Sequence, residues 1–531
     1  MAPRCRLGPT VPAQFPAFGN SRFNLHLLLK PVAHGRSVLC HLLLFAIHCL
    51  VGSATVAVAG PWLEPGDLGL RHDLTLLADA GVLRTPVATW PISWPDVERD
   101  LSAAGAQPSP VVYHALQRVL RAARSASQPG FQGVGLELAG AERPARVRDF
   151  ADPPREQGHV GAGAAWLGDR FAAGISVSAV NTAGDATDDQ RVRLDGSYVG
   201  VTFGNYMVSA GSLSQWWGPG WDASLILGTN ARPMPRIAIE RKYSDASTLP
   251  VLRWIGPWRA IISMARSDGS GVAVPDARFF AARLSFKPRA WLEIGLSRTA
   301  QWCGASRPCD LGTFADLLIG RDNPGDSQTS AAEPGNQMAG YDFRLRSPWM
   351  RLPVALYGQF IGEDEAGGLP AKFIEQLGLE AWGGSTSGSW RGRVEYADTV
   401  CVEATDDPLR ACQAYRSNAY PQGYTYRGRI LGHSIDNDGR AWSLGVMWVR
   451  PSGAYFGMNA RRLELNRDGL PDSQHAMSPL GAAELDQFEV QWTAPRFDGT
   501  LTLSLGYDSV SSGSPARGSG LRGYLRFKRG L

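Results

Sequence analysis

LDQFEVQWTA, Leu485 to Ala494, alternates polar and large apolar side chains. In an extended chain Phe488, Val490 and Trp492 fall on one face, while Gln487, Glu489, Gln491 and Thr493 fall on the other. WRGRVEY has the same form, setting Trp390, Gly392, Val394 and Tyr396 against Arg391, Arg393 and Glu395. So does LTLSLGY, where Leu501, Leu503, Leu505 and Tyr507 oppose Thr502, Ser504 and Gly506.

Such strands suit either a soluble sandwich, with the apolar face turned to a dry core, or an outer-membrane barrel, with that face turned to lipid. The number of segments separates the two. From about Phe131 onward, blocks of about ten residues recur about eighteen times between Gly, Pro, Asp and Asn, an even count within the porin range. Closure of the sheet also leaves no unpaired backbone groups in hydrocarbon. The predicted fold is therefore an all-β transmembrane barrel of about 18 antiparallel strands over residues 129–531. Its last stretch is GYLRFKRGL, where Leu525 and Phe527 alternate with Tyr524, Arg526 and Lys528 as in a closing strand.

Working back from the barrel, the period changes to that of helices over residues 60–128. Leu70, Leu74 and Leu77 share a face, with Asp67 placed to cap the start and Gly81 to stop the helix. Ser93 and Pro95 open a second helix through Leu101. Ser109-Pro110 starts a third, on which Val112, Leu116, Val119, Leu120 and Ala123 form a stripe. Three short amphipathic helices bury little alone, so this small N-terminal α-helical bundle needs the barrel as its partner. Residues 1–59 read as an export signal: Lys30, His34 and Arg36, an apolar run from Val38 to Val51, then small residues ending at Ala57-Val58-Ala59, with cleavage expected after Ala59.

A net charge of +4 over 531 residues, with Lys and Arg scattered along the chain, gives no case for nucleic acid. Cys303, Cys309, Cys401 and Cys412 form two close pairs in CGASRPC and CVEATDDPLRAC. After export each is expected to close a short loop as a disulfide, since neither spacing fits a zinc site. The longest inter-strand segments, Gln301 to Gln337 and Thr399 to Arg440, each hold one pair. Both are expected to face outward, because periplasmic turns in such barrels are short.

The segment QWWGPGWDASLILGTNARPMP, Gln215 to Pro235, crowds Trp216, Trp217 and Trp221 around Gly218-Pro219-Gly220, then adds Asp222, Asn230 and Arg232. Pro219 and its glycine neighbours require a turn. The tryptophans fit three roles: interfacial anchors, wedges plugging the pore, or stacking faces for sugar rings. In the segment Tyr424 to His433, Arg427 and Arg429 stand two apart, which on a strand would aim both guanidiniums to one side as forks for the carboxylates of an acidic sugar polymer. Pairing with Asp and Glu of neighbouring strands is the alternative.

The WWGPGWD…LI…NARPMP run resembles the signature of the Wzi family of capsule-assembly proteins. So do YRGRILGHSIDND, Tyr426 to Asp438, and RHDLTLLADAGVL…TWPISWPDVERDL, Arg71 to Leu101. The three lie in the family's order and tie most of the chain after residue 60 to it. The resemblance implies an outer-membrane, lectin-like protein that attaches exported capsular polysaccharide or exopolysaccharide to the cell surface and performs no catalysis. The expected partners are that polymer, outer-membrane lipid and the polysaccharide export machinery.

Polysaccharide contact is expected from Trp216, Trp217, Trp221, Asp222, Asn230, Arg232, Tyr426, Arg427, Arg429 and His433. No metal or cofactor is expected: the run Asp436 to Gly439 lacks the distal Glu of a calcium loop. Glu363, Asp364 and Glu365, in IGEDEAGG, read as a solvated turn rather than a glycosidase pair. An oligosaccharide diffusion channel is the alternative function, followed by a barrel hydrolase using His433.

Overall fold

The computed structural model describes residues 60–531 except 104–108, 182–187, 269–271, 319–334, 349–351, 363–364, 367–368, 371–372, 403–411, 418, 514 and 530–531. The leader with its cut after Ala59, and Glu363 and Asp364, lie outside the described residues. So do the side chains of Glu365, Cys401 and Cys412.

Eighteen antiparallel strands close into one barrel, from Gly130–Ala141 to Gly520–Arg529. The last strand pairs with the first, with Leu525 opposite Gly140 and Phe527 opposite Leu138. Two further two-residue strands, Val192–Arg193 and Cys412–Gln413, pair with wall strands inside the loops. The wall follows the predicted alternation. Leu505 is 63% and Phe488 46% exposed on the outer face, whereas Gln487, Glu489, Gln491, Arg391, Arg393 and Glu395 are buried on the inner one. Outward apolar groups therefore meet lipid, and every ladder bond is made inside the sheet.

The two rims differ. At one end most turns are short, as between Ser385 and Gly388 or Arg496 and Gly499, the connection 242–257 being the exception. At the other the connections are long and include loops 142–157, 212–235 and 403–439. The short-turn rim, where the first strand begins and the last ends, is the periplasmic side.

Among the described residues three helices precede the wall: α1 (Leu68–Asp79), α2 (Trp94–Ser102) and α3 (Pro110–Ala126). The Asp67 carboxylate caps α1 by accepting from the Leu70 N–H at 3.0 Å. Gly81, at φ 75°, ends it, with its own N–H donating to Ala78 O and that of Val82 to Leu77 O. On α3 the dry seam is Ala115, Val119, Ala123 and Ala126, while Val112, Leu116 and Leu120 of the expected stripe are only half-buried.

α1 departs furthest from the amphipathic reading, because Arg71, His72 and Asp73 are buried along with Leu68, Leu74, Leu76 and Leu77. It sits in the periplasmic mouth with protein on all sides. Its cluster includes the wall residues Tyr357, Trp382, Met447 and Tyr455 together with Trp216 and Trp221 from loop 212–235. Helix α4 (Leu311–Leu318) follows the Cys303–Cys309 disulfide, which closes as predicted. Cys401 lies opposite Cys412 in a short antiparallel backbone ladder.

Candidate functional site

The lumen is filled from above and below, and the Trp-rich turn is where the two fillings meet. Trp216 and Trp217 pair with Trp90 and Thr89 of the helical unit. The Gly218 N–H donates to Ala88 O at 2.9 Å. Gly218 has φ 149°, and a Cβ there would stand 2.9 Å from the Gln359 amide, so backbone and space both require glycine.

The Glu395 carboxylate, on the inner wall, accepts from the Trp221 and Asp222 N–H groups at 2.6 and 2.9 Å and from the Tyr357 hydroxyl at 2.6 Å. From α1, Arg71 donates to Pro219 O and Gly220 O at 2.9 and 2.8 Å. Its guanidinium lies 4.3 Å from the ring centres of both Phe150 and Trp221. The three indoles are at most 2% exposed. A stacking role for Trp216, Trp217 and Trp221 is thereby corrected to packing, since their ring faces are covered by protein.

Above this turn an apolar layer closes the lumen. Leu225, Ile226, Leu227 and Met234 pack on the inward wall residues Phe279, Met338, Ile361 and Ile374 and on Tyr415, Tyr424, Tyr426 and Ile430 of loop 403–439. Several predicted contact residues belong to this plug. Asp222 pairs with Arg461 at 2.6 Å, and Asn230 donates to Ile430 O at 2.9 Å. His433 is buried, accepts the Ile435 N–H on Nδ1 at 3.2 Å, and is pushed down to about 4 by burial. Tyr426 is buried in the same layer.

Arg427 and Arg429 do not stand on a continuous strand. Thr425–Tyr426 and Arg429–Ile430 form a two-residue hairpin whose turn positions, Arg427 and Gly428, have φ of 51° and 69°. Such a turn needs positive φ at both central residues, and glycine supplies one of them. The strand premise is corrected, yet both arginines still reach one place.

That place is a cleft on the long-loop rim. Arg148, Arg155 and Glu156 come from loop 142–157, Asp188 and Arg193 from the connection 182–197, and Arg232 from loop 212–235. Arg427 and Arg429 enter from loop 403–439, and Arg517 from the connection before the last strand. Arginines scattered in sequence are gathered in space.

Carboxylates fix the geometry. Asp188 holds Arg193 and Arg232 at 3.0 and 2.9 Å, Asp195 holds Arg232 at 2.8 Å, and Asp268 holds Arg427 at 3.1 Å. Asp152 is shared by Arg148 and Arg155 and is held well below the usual carboxylate range by those guanidiniums, against the opposing effect of burial. Of the ten predicted contacts, only Arg232, Arg427 and Arg429 line this cleft. Arg148, Arg155, Arg193 and Arg517 were missed. The Arg- and Pro-rich run RPARVRDFADPPRE, Arg143 to Glu156, was the available signal for the first two.

Comparison with known proteins agrees with this architecture. Residues 130–520 match the family described as capsule assembly protein Wzi. A Klebsiella pneumoniae protein described as an uncharacterized 55.8 kDa protein in the cps region is 34% identical over 341 residues, 64% of this chain and 65% of that relative. The match thus spans just under two thirds of the relative's length. The solved structure of Wzi from Escherichia coli is described as an outer-membrane protein involved in group 1 capsule assembly and a carbohydrate-binding β-barrel. It superposes with a TM-score of 0.77 at 26% identity, covering 89% of this chain and 100% of that one. The chain belongs to the Wzi capsule-assembly family and is an outer-membrane β-barrel.

Proposed function

We propose that this protein holds exported capsular polysaccharide or exopolysaccharide at the cell surface by non-covalent contact at the outer rim, without catalysis. The observation that carries this reading is a loop-built, arginine-lined cleft standing on a barrel whose lumen is occupied. Carbohydrate binding by the Escherichia coli relative supports it. A diffusion channel needs a continuous aqueous path, whereas the plug fills the lumen with large buried side chains such as Trp217, Tyr415 and Tyr424. A hydrolase centred on His433 needs that imidazole to reach a substrate, and it is only 2% exposed.

Retention of a long polymer does not require one tight site. Many copies in the membrane engage successive repeats of one chain, and avidity multiplies modest single-site affinity. The helical unit at the periplasmic mouth is the surface we assign to the export machinery. Its rim carries a second cleft between Trp62, Trp94 and Glu98 of the N-terminal unit and Phe171 and Lys242 of the barrel.

The test is deletion of the gene, with measurement of cell-bound against released polysaccharide. Retention predicts a shift toward the released fraction that the wild-type gene reverses. An unchanged partition would end the proposal.

A further inference from the structure

The arginine cleft is built for a particular kind of glycan. Each of its arginines belongs to a connection of the outer rim, and they line it from different parts of the chain. Planar forks of this type match a carboxylate with two parallel hydrogen bonds, a geometry that neutral hydroxyls do not demand.

The ion pairing around the cleft is uneven. Arg193 and Arg232 are well supplied, since Glu156, Asp188 and Asp195 surround them. Arg148 and Arg155 share the single carboxylate of Asp152. Arg148 is 3% exposed, and its Nη1 has no hydrogen-bond partner among the described residues. Its other nitrogens are committed, with Nε donating to Thr229 O at 3.1 Å and Nη2 to Asp152. A buried, charged donor left unmatched costs free energy that a bound anion would offset. The two guanidiniums also crowd one another: burial, then the Arg148 charge, push Arg155 below its ordinary value.

We infer that this cleft binds the carboxylate of an acidic sugar, so that the retained polymer is recognised through its uronate groups, with Arg148 and Arg155 at the floor and Arg427 at the rim. This rests on the retention reading and narrows it to a substrate class. Arg427 suits the rim because its side chain is 28% exposed and its backbone is fixed by the hairpin turn and by its own N–H donating to Asp268 at 2.9 Å.

The experiment uses the full chain, refolded or extracted in detergent, with three probes: oligogalacturonate, a neutral malto-oligosaccharide of equal length, and inorganic phosphate. Titration calorimetry is expected to show oligogalacturonate binding that weakens as salt rises, with no comparable binding of the neutral probe. Arg155→Gln and Arg427→Gln are each expected to weaken it about tenfold, the loss of one charge-assisted contact. Arg155 is half-buried and donates to Thr229 O and Asn230 O, so heat-modifiable gel migration checks that its variant is folded. Arg427 is half-exposed, and its variant keeps the test open if the first fails to fold.

Equal binding of the neutral probe, binding of phosphate but not oligogalacturonate, or an Arg427→Gln variant with unchanged affinity would each overturn the inference. Failure here is distinguishable from failure of retention. A gene deletion that releases polymer, beside a purified protein that ignores uronate, leaves retention standing and removes the acidic-sugar assignment.

Discussion

Arg71 connects the two halves of the plug. Arg71→Ala removes donors to Pro219 O and Gly220 O and the cation between Phe150 and Trp221, all in a dry site. The expected cost is about 2–4 kcal/mol, read as a lower unfolding temperature in detergent and as current bursts in planar bilayers where the parent is silent. His433 gives a pH test of the same plug. Its pKa lies near 4 in the fold, against about 6.5 unfolded. The unfolded state therefore binds more protons between those values. The stability of this loop is full above about pH 6.5 and falls as the pH drops toward 4. Protease nicking of residues 413–439 should rise across that interval in the parent and lose its pH dependence in His433→Gln. The arginine pair at the hairpin was legible from residue types alone. Arg193 and Arg517 were not, because nothing in local spacing says that loops from distant strands will meet.

At the scale of elements, the two-residue period was legible because lipid and protein impose opposite demands on alternate positions of one strand. Leu505 faces lipid on the strand Gly499–Gly513, and Leu505→Arg is expected to cost about 2–4 kcal/mol. Thr502→Val on the inner face should cost less, and folding titrations into lipid vesicles compare the two. The caps of α1 were equally legible, through Asp67 and Gly81. Its all-round burial was not, because Arg71 and Asp73 read as a solvated face until the barrel mouth surrounds them. Inward apolar residues such as Phe279, Met338 and Ile361 break the polar-inside rule for the same reason: loops 212–235 and 403–439 fold inward and offer an apolar partner. The Cys303–Cys309 bridge predicts that these two cysteines react with a thiol reagent only after reduction, even in denaturant.

For the whole molecule, a closed wall, a helical unit in the lower mouth and inward-folded loops leave the outer rim as the surface to which the proposed retention is assigned. Contacts gathered from several loops give that rim its chemistry, and the plug gives the loops something rigid to stand on. The tryptophans of the family-resembling turn form the structural centre of the plug, whereas Arg232, Arg427 and Arg429 of the family-resembling runs reach the cleft. The most direct test is the partition of polysaccharide between cells and medium in a deletion strain complemented with the parent or with the Arg155→Gln, Arg427→Gln double variant, at matched barrel abundance in the outer membrane. The account predicts that the parent restores the cell-bound fraction and that the double variant leaves most polymer in the medium. Full restoration by the double variant would contradict the cleft as the holding site, and no difference between the deletion strain and the complemented parent would contradict retention itself.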